Sequence, residues 1–230
     1  MKVVFIHGAG GTGAAWYYQA ERFPGCDAVN LPGHPGGEPL GSIEEYAEWL
    51  YRYIREQGYG TTVLAGHSMG GGIALSCVLS HPDICAGLAL IGTGARLRVN
   101  PAFLRLLTEN RDRPPEWYRE YAAAMLDGVD PEVSRRVLDI QCAAPVSTHL
   151  NDFLCCDRFD VMEGIATIGI PTLVLCGEGD VMTPVKYSKY LADSIPGSRL
   201  VIIPGAGHMV FLQKPEEVNR EIEEFFASIS

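Results

Sequence analysis

The sequence predicts an α/β fold: a doubly wound, mostly parallel sheet of about six strands, interrupted late in the chain by a helical insertion. Three observations predict it. Short runs that are apolar without alternation recur along the chain, the pattern of parallel strands covered on both faces. Segments with helical periodicity separate most of these runs. Residues 96–168 break the rhythm, because they contain no strand-like run at all.

In chain order, the strand candidates are VVFI (3–6), DAVNL (27–31), TVLAG (62–66), GLALIG (87–92), TLVLCG (172–177) and LVIIP (200–204). Helical patterns occupy 43–57, 70–80, 185–195 and 216–227. The stretch 96–168 reads as several short helices punctuated by Pro101, Pro114, Pro115, Pro131 and Pro145. Because strands resume at PTLVLCG, residues 1–95 and 169–230 form one core and 96–168 a lid, inserted where ligands of such sheets bind.

At 230 residues, 47% of them hydrophobic, the chain is long enough to bury one full core. A formal charge of -10 repels nucleic acid and anionic lipid, so neither is an expected partner. No apolar run approaches the roughly 18 residues that span a bilayer, and Lys2 leads at once into a strand pattern. The expectation is a soluble, cytoplasmic protein. Seven cysteines without a C-x-x-C pair suit neither a disulfide framework nor a zinc site, and several stand in apolar surroundings as small hydrophobes. The adjacent pair Cys155 and Cys156 is the one with a conceivable redox role.

The third strand candidate ends in AGHSMGGG, where Gly66 to Gly70 matches G-x-S-x-G. Composition alone yields roughly 0.14 chance matches in such a chain, so context must carry the motif. Here an apolar strand gives way to a helical pattern, the strand-turn-helix setting of a nucleophile elbow, which points to Ser68 as a nucleophile. A serine hydroxyl needs a histidine to take its proton and a carboxylate to orient that histidine, and in elbow enzymes these follow in the order Ser, acid, His. Downstream of Ser68 and its following strand stand only His149, inside the lid, and His208, on a glycine-rich loop after the last strand. His208 is therefore the candidate base. The acid belongs in a loop after a strand, and LCGEGDVMTP supplies Asp180, with Glu178 as the fallback. Pro184 marks the start of the next helix.

These segments resemble the α/β-hydrolase fold family, in which HGAGG, GHSMGG, GEGDVMTP and GAGHMVFLQKPEEV recur in this order. The resemblance covers nearly all of the chain outside the lid and implies a triad of Ser68, Asp180 and His208. It begins at the strand usually numbered third, which implies a fold lacking the first two strands. The family's usual LPGHGxS becomes LPGHPGG here, departing after His34.

The first loop poses a competing reading, since Gly8-Ala9-Gly10-Gly11-Thr12-Gly13 fits the dinucleotide spacing G-x-G-x-x-G. A dinucleotide fold needs an acid at the end of the second strand, whereas Asp27 stands at its start, the wrong edge of the sheet. The glycines instead suit an oxyanion hole made of one N–H from this loop and the N–H of Met69. By resemblance Ala9 is the loop donor, with Gly10 second. His67, beside the nucleophile, reads as a packing residue.

The resulting expectation is a lidded serine hydrolase, needing no metal and no organic cofactor, that cleaves carboxylic esters or thioesters of a small to medium apolar acyl group. A carbon-carbon bond hydrolase or a cofactor-free perhydrolase would use the same triad. A non-catalytic ligand receptor is the reading from a different class.

Overall fold

The structure, a computed structural model, describes residues 1–229. In order the elements are β1 (Lys2–Ile6), α1 (Tyr17–Arg22), β2 (Asp27–Val29), α2 (Ile43–Glu56), β3 (Thr62–His67), α3 (Met69–Ser80) and β4 (Cys85–Ile91). Four helices follow, α4 (Pro101–Glu109), α5 (Arg119–Met125), α6 (Pro131–Gln141) and α7 (Val146–Arg158). The chain closes with β5 (Thr172–Gly177), α8 (Val185–Ser194), β6 (Arg199–Ile203), α9 (Val210–Gln213) and α10 (Pro215–Ser228).

The six strands form one sheet in the order β2-β1-β3-β4-β5-β6, and every pairing is parallel. Apolar runs without alternation are what such a sheet requires, because both of its faces are covered. Val4, Ile6, Leu64, Leu88, Leu90 and Val174 pack into the core shared with α2 and α3. Their neighbours Phe5, Val63, Ala65, Ala89, Leu173 and Leu175 point the other way, into the core shared with α10 and Trp16. On α2 the buried residues Ile43, Tyr46, Ala47, Leu50 and Ile54 keep the spacing of one helical face, and the Ser42 side chain caps its start.

The prolines of the excursion between β4 and β5 prove to be helix starts. Pro101 and Pro131 occupy the first turns of α4 and α6, whose caps are Asn100 and Asp130, and Pro145 precedes α7. Proline's missing N–H costs nothing at that position. The periodicity reading passes over α1 and α9, which at six and four residues are too short to show a period. The second strand is shorter than expected, ending at Val29 rather than residue 31.

The chain runs from β1 outward to β2, then returns across β1 to β3, so the topology switches direction between β1 and β3. The crevice of an open α/β sheet lies at the carboxyl ends of the strands flanking that switch. Those ends lead into the loop after Ile6 and into Ser68.

Candidate active site

Ser68 lies between the last residue of β3 and the first of α3, at φ 52 and ψ -117. Among the described residues it is the one non-glycine with positive φ, a conformation that costs about 1–3 kcal/mol and persists only where its surroundings impose it. The flanking glycines show what imposes it. A Cβ on Gly66 would stand 2.3 Å from the carbonyl oxygen of Gly70, and one on Gly70 would stand 2.2 Å from that of Ile6. The Ser68 backbone is held at both ends, its N–H donating to Ile91 O at 3.0 Å and its carbonyl accepting from Thr93 Oγ1 at 2.7 Å.

Asp180, buried in the loop after β5, receives the Met182 and Thr183 N–H groups on Oδ1, both at 2.9 Å. Its Oδ2 receives the Thr183 hydroxyl at 2.8 Å and His208 Nδ1 at 2.9 Å. Burial by itself would raise the Asp180 carboxyl, but the bond and charge of His208 and the Thr183 donors outweigh it and hold the carboxyl below its ordinary value. An ionised carboxylate only accepts, so His208 carries its proton on Nδ1 and turns Nε2 outward as the acceptor. Glu178 is exposed, with Oε2 at 3.5 Å from the Gly205 N–H, and takes no part in this arrangement.

His67 donates from Nε2 to the His208 carbonyl at 3.0 Å, and its ring lies 4.6 Å from that of His208 and 4.7 Å from that of Phe211. Burial, then the neighbouring His208, lowers it to about 3, so it remains a neutral packing residue that braces the His208 loop. His149 is buried on α7, stacked on Tyr118 at 4.1 Å and lowered by burial to about 4.

The loop after β1 presses against Ser68, since a Cβ on Gly8 would meet the Ser68 Cβ at 3.1 Å. Its first peptide is fixed through the Gly8 carbonyl, which accepts from the Gly11 N–H at 3.0 Å and from His7 Nδ1 at 2.9 Å. His7 Nε2 accepts from the Leu31 N–H at 3.1 Å, which sets the Nδ1-protonated tautomer; burial, then His34, lowers His7 to about 3. The Gly10 N–H, the second-choice oxyanion donor of the sequence reading, instead donates to Asp152 Oδ2 at 2.8 Å. Gly13 serves close packing, because a Cβ there would stand 2.2 Å from the carbonyl oxygen of Ala28 on β2. Asp27, the acid that a dinucleotide would need, is engaged by the hydroxyls of Tyr53 and Tyr59 at 2.7 and 2.8 Å.

Thr183 and Asp152 escaped the sequence reading. The hydroxyl three residues after Asp180 was one available signal; the other was an acid flanked by the apolar residues Leu150, Phe153 and Leu154 in HLNDFL. His34 is buried beside Asp152, with Nε2 at 2.7 Å from Oδ2. Of the cysteines only Cys26 is not buried; burial pushes Cys155 up to about 11 and Cys156 well above the ordinary value, so neither thiol favours the reactive anion.

Two cavities meet at Ser68. The larger, about 750 Å³, is lined by Leu97, Val99, Phe103, Met125, Phe153 and Met182 among others, with Arg98, Glu120 and Lys186 as its charged members. The smaller, about 40 Å³, lies between the Gly8-Ala9 loop and His208. Leu107 and Tyr118, from the same helical excursion, are instead buried in the core, while Leu126 lines the smaller cavity. No helix among the described residues is long and apolar enough to cross a membrane.

Comparison with known proteins identifies the family. The solved structure of a thermophilic esterase is 34% identical, superposes with a TM-score of 0.84, and is matched over 99% of this chain and 90% of that one. A pimeloyl-[acyl-carrier protein] methyl ester esterase of Neisseria meningitidis is 28% identical over 94% of this chain and 89% of its own length. The (E)-2-((N-methylformamido)methylene)succinate hydrolase of Acinetobacter baylyi is 25% identical over 96% of this chain and 88% of its own. The profile of the alpha/beta hydrolase family matches residues 3–221, nearly the whole sheet and every loop of the candidate site, so the chain belongs to that family and is a hydrolytic enzyme.

Proposed function

We propose that the enzyme is a serine esterase that cleaves esters or thioesters of a small to medium apolar acyl group through an acyl-enzyme. The observation that carries this reading is the strained Ser68, sharing a cavity with a His208 whose Nδ1 proton is held by the buried Asp180. The esterase names of two of the similar proteins support it.

Ser68 Oγ attacks the acyl carbon while His208 Nε2 takes its proton, and Asp180 stabilises the imidazolium that forms. The negative charge that develops on the acyl oxygen is received by the Met69 N–H, at the start of α3, and by the Ala9 N–H; an oxyanion donor of this kind contributes about 3 kcal/mol to the transition state. Gly10 is not needed as a donor, since its N–H is committed to Asp152. His208 then passes its proton to the departing oxygen or sulfur, and a water activated by the same histidine releases the acid. The larger cavity takes the apolar group, with the helices of 96–168 acting as its lid.

A fluorophosphonate probe tests the assignment. It should label the native protein stoichiometrically at Ser68, and Ser68→Ala should lose both labelling and ester turnover while keeping its circular dichroism. Turnover that survives in a folded Ser68→Ala variant would reject Ser68 as nucleophile.

A further inference from the structure

The loop that carries the Ala9 N–H is gripped from its far side by the helical excursion. Asp152 on α7 sits 142 residues from Gly10 in sequence, yet its Oδ2 accepts the Gly10 N–H at 2.8 Å. The same oxygen faces His34 Nε2 at 2.7 Å, and Oδ1 faces the Tyr46 hydroxyl at 3.4 Å. All three side chains are buried. They come from three separate parts of the core and excursion: the loop after β2, helix α2 and helix α7.

His34 Nδ1 lies 3.0 Å from the Pro32 carbonyl, which only accepts, so Nδ1 bears a proton. Nε2 can then donate to Asp152 only when the ring is doubly protonated. Burial opposes that charge, but the Asp152 hydrogen bond, its charge and the Pro32 and Leu31 backbone hold His34 above its ordinary value. The result is a buried, hydrogen-bonded Asp152–His34 pair aimed at one backbone N–H. A buried polar pair of this kind is weak evidence for stability, so what it holds in place is the more informative feature.

Geometry supplies the role. Two peptide planes meet at the Ala9 Cα. The first, which bears the Ala9 N–H, is pinned at the Gly8 carbonyl by Gly11 and His7, and the second is pinned at the Gly10 N–H by Asp152. We propose that Asp152 is a positioning residue that, held by His34, fixes the Ala9–Gly10 peptide and so aims the Ala9 N–H at the developing oxyanion. The excursion thereby presets the catalytic loop as well as covering the pocket. This rests on the Ala9 donor role given under Proposed function. A donor fixed before the reaction does not have to reorganise during it, so loss of the tether weakens binding of the transition state more than binding of the substrate.

The test compares native enzyme, Asp152→Leu, which has the same branching but is larger and accepts no hydrogen bond, and Asp152→Asn, which keeps one acceptor oxygen. Active sites are counted with diethyl p-nitrophenyl phosphate, and kcat, KM and the affinity of an aliphatic trifluoromethyl ketone are measured with p-nitrophenyl butyrate as substrate. In Asp152→Leu, kcat per counted site should fall about 10- to 100-fold, KM should stay within about threefold, and ketone affinity should fall in step with kcat. Asp152→Asn should recover most of the loss in both quantities. If the leucine variant does not fold, Asp152→Ala makes the same comparison. A kcat per site within twofold of native in the apolar variant, a loss confined to KM, or an asparagine variant no better than leucine would each overturn the proposal. Failure of the organophosphate to react with Ser68 in the native protein would instead overturn the underlying serine-esterase reading, an outcome that Asp152 variants cannot produce.

Discussion

Thr183 donates to Asp180 twice: its N–H reaches Oδ1 at 2.9 Å, and its hydroxyl reaches Oδ2 at 2.8 Å, the oxygen shared with His208 Nδ1. The hydroxyl also lies 3.4 Å from that nitrogen, so one side chain touches both Asp180 and His208. Thr183→Val preserves the shape and deletes the hydroxyl donor. Hydrogen bonds to charged groups contribute about 1.5–3 kcal/mol, so the variant should lose stability on that scale and roughly tenfold in kcat/KM, and Thr183→Ser should restore both. The sign of the pH effect follows from the lowered Asp180. Its stabilisation is present above the ordinary carboxylate value of 3.8 and is lost as pH falls through the lower folded value. Removing a donor moves that loss to higher pH. Urea melts at pH 3 to 5 together with kcat/KM would check this, and native values for the valine variant would remove the hydroxyl from the mechanism.

The strain at Ser68 predicts an asymmetry between two variants at that position. At φ 52 an alanine keeps the Cβ penalty, whereas a glycine relieves it. Ser68→Gly should therefore be about 1 kcal/mol more stable than Ser68→Ala, a melting-temperature difference of about 2–4 °C in a chain of this size. Calorimetry on the two variants reads the difference directly; equal melting temperatures would mean that the turn is not strained.

Three histidines are kept neutral by burial: His7 and His67 at about 3 and His149 at about 4. In the unfolded chain each returns to about 6.5, so at pH 5 unfolding takes up protons and stability falls as pH drops below about 6. His34 has the opposite sign, because its folded value is raised and its contribution is lost only as pH rises through that value. At pH 5 His34 is protonated in both states and adds nothing to the uptake. Calorimetric unfolding in two buffers of different ionisation enthalpy should show uptake of close to three protons at pH 5. Uptake below one would mean that these rings are not buried neutral.

The larger cavity should select by chain length. Each methylene that enters an apolar pocket contributes up to about 0.8 kcal/mol, roughly fourfold in kcat/KM, until the space is full. Across p-nitrophenyl esters from acetate to laurate, activity should climb and then fall. Phe103 packs edge-on against Phe153 at 5.0 Å on the cavity wall, so Phe103→Ala should move the optimum to longer acyl chains. A flat series, or a preference for charged acyl groups, would argue against an apolar acyl site.

What the sequence determined by itself was the sheet and the punctuation around it. Six runs without alternation required burial on both faces, and the glycines around Ser68 required a turn that tolerates no Cβ; these are local consequences of backbone sterics, legible in any short window. Proline positions likewise marked the segment 96–168 as several short helices, and the structure shows Pro101 and Pro131 at the starts of two of them. The choice between Glu178 and Asp180 was not local, because it depended on which carboxylate the β5 loop turns toward His208 and which it leaves exposed. Nor was the fate of the Gly10 N–H, which is decided by a carboxylate 142 residues away on α7. A hydrogen bond across the fold leaves no period in the sequence: it depends on where whole elements pack, and only the tertiary structure brings Asp152, His34 and Tyr46 to one point behind the loop after β1.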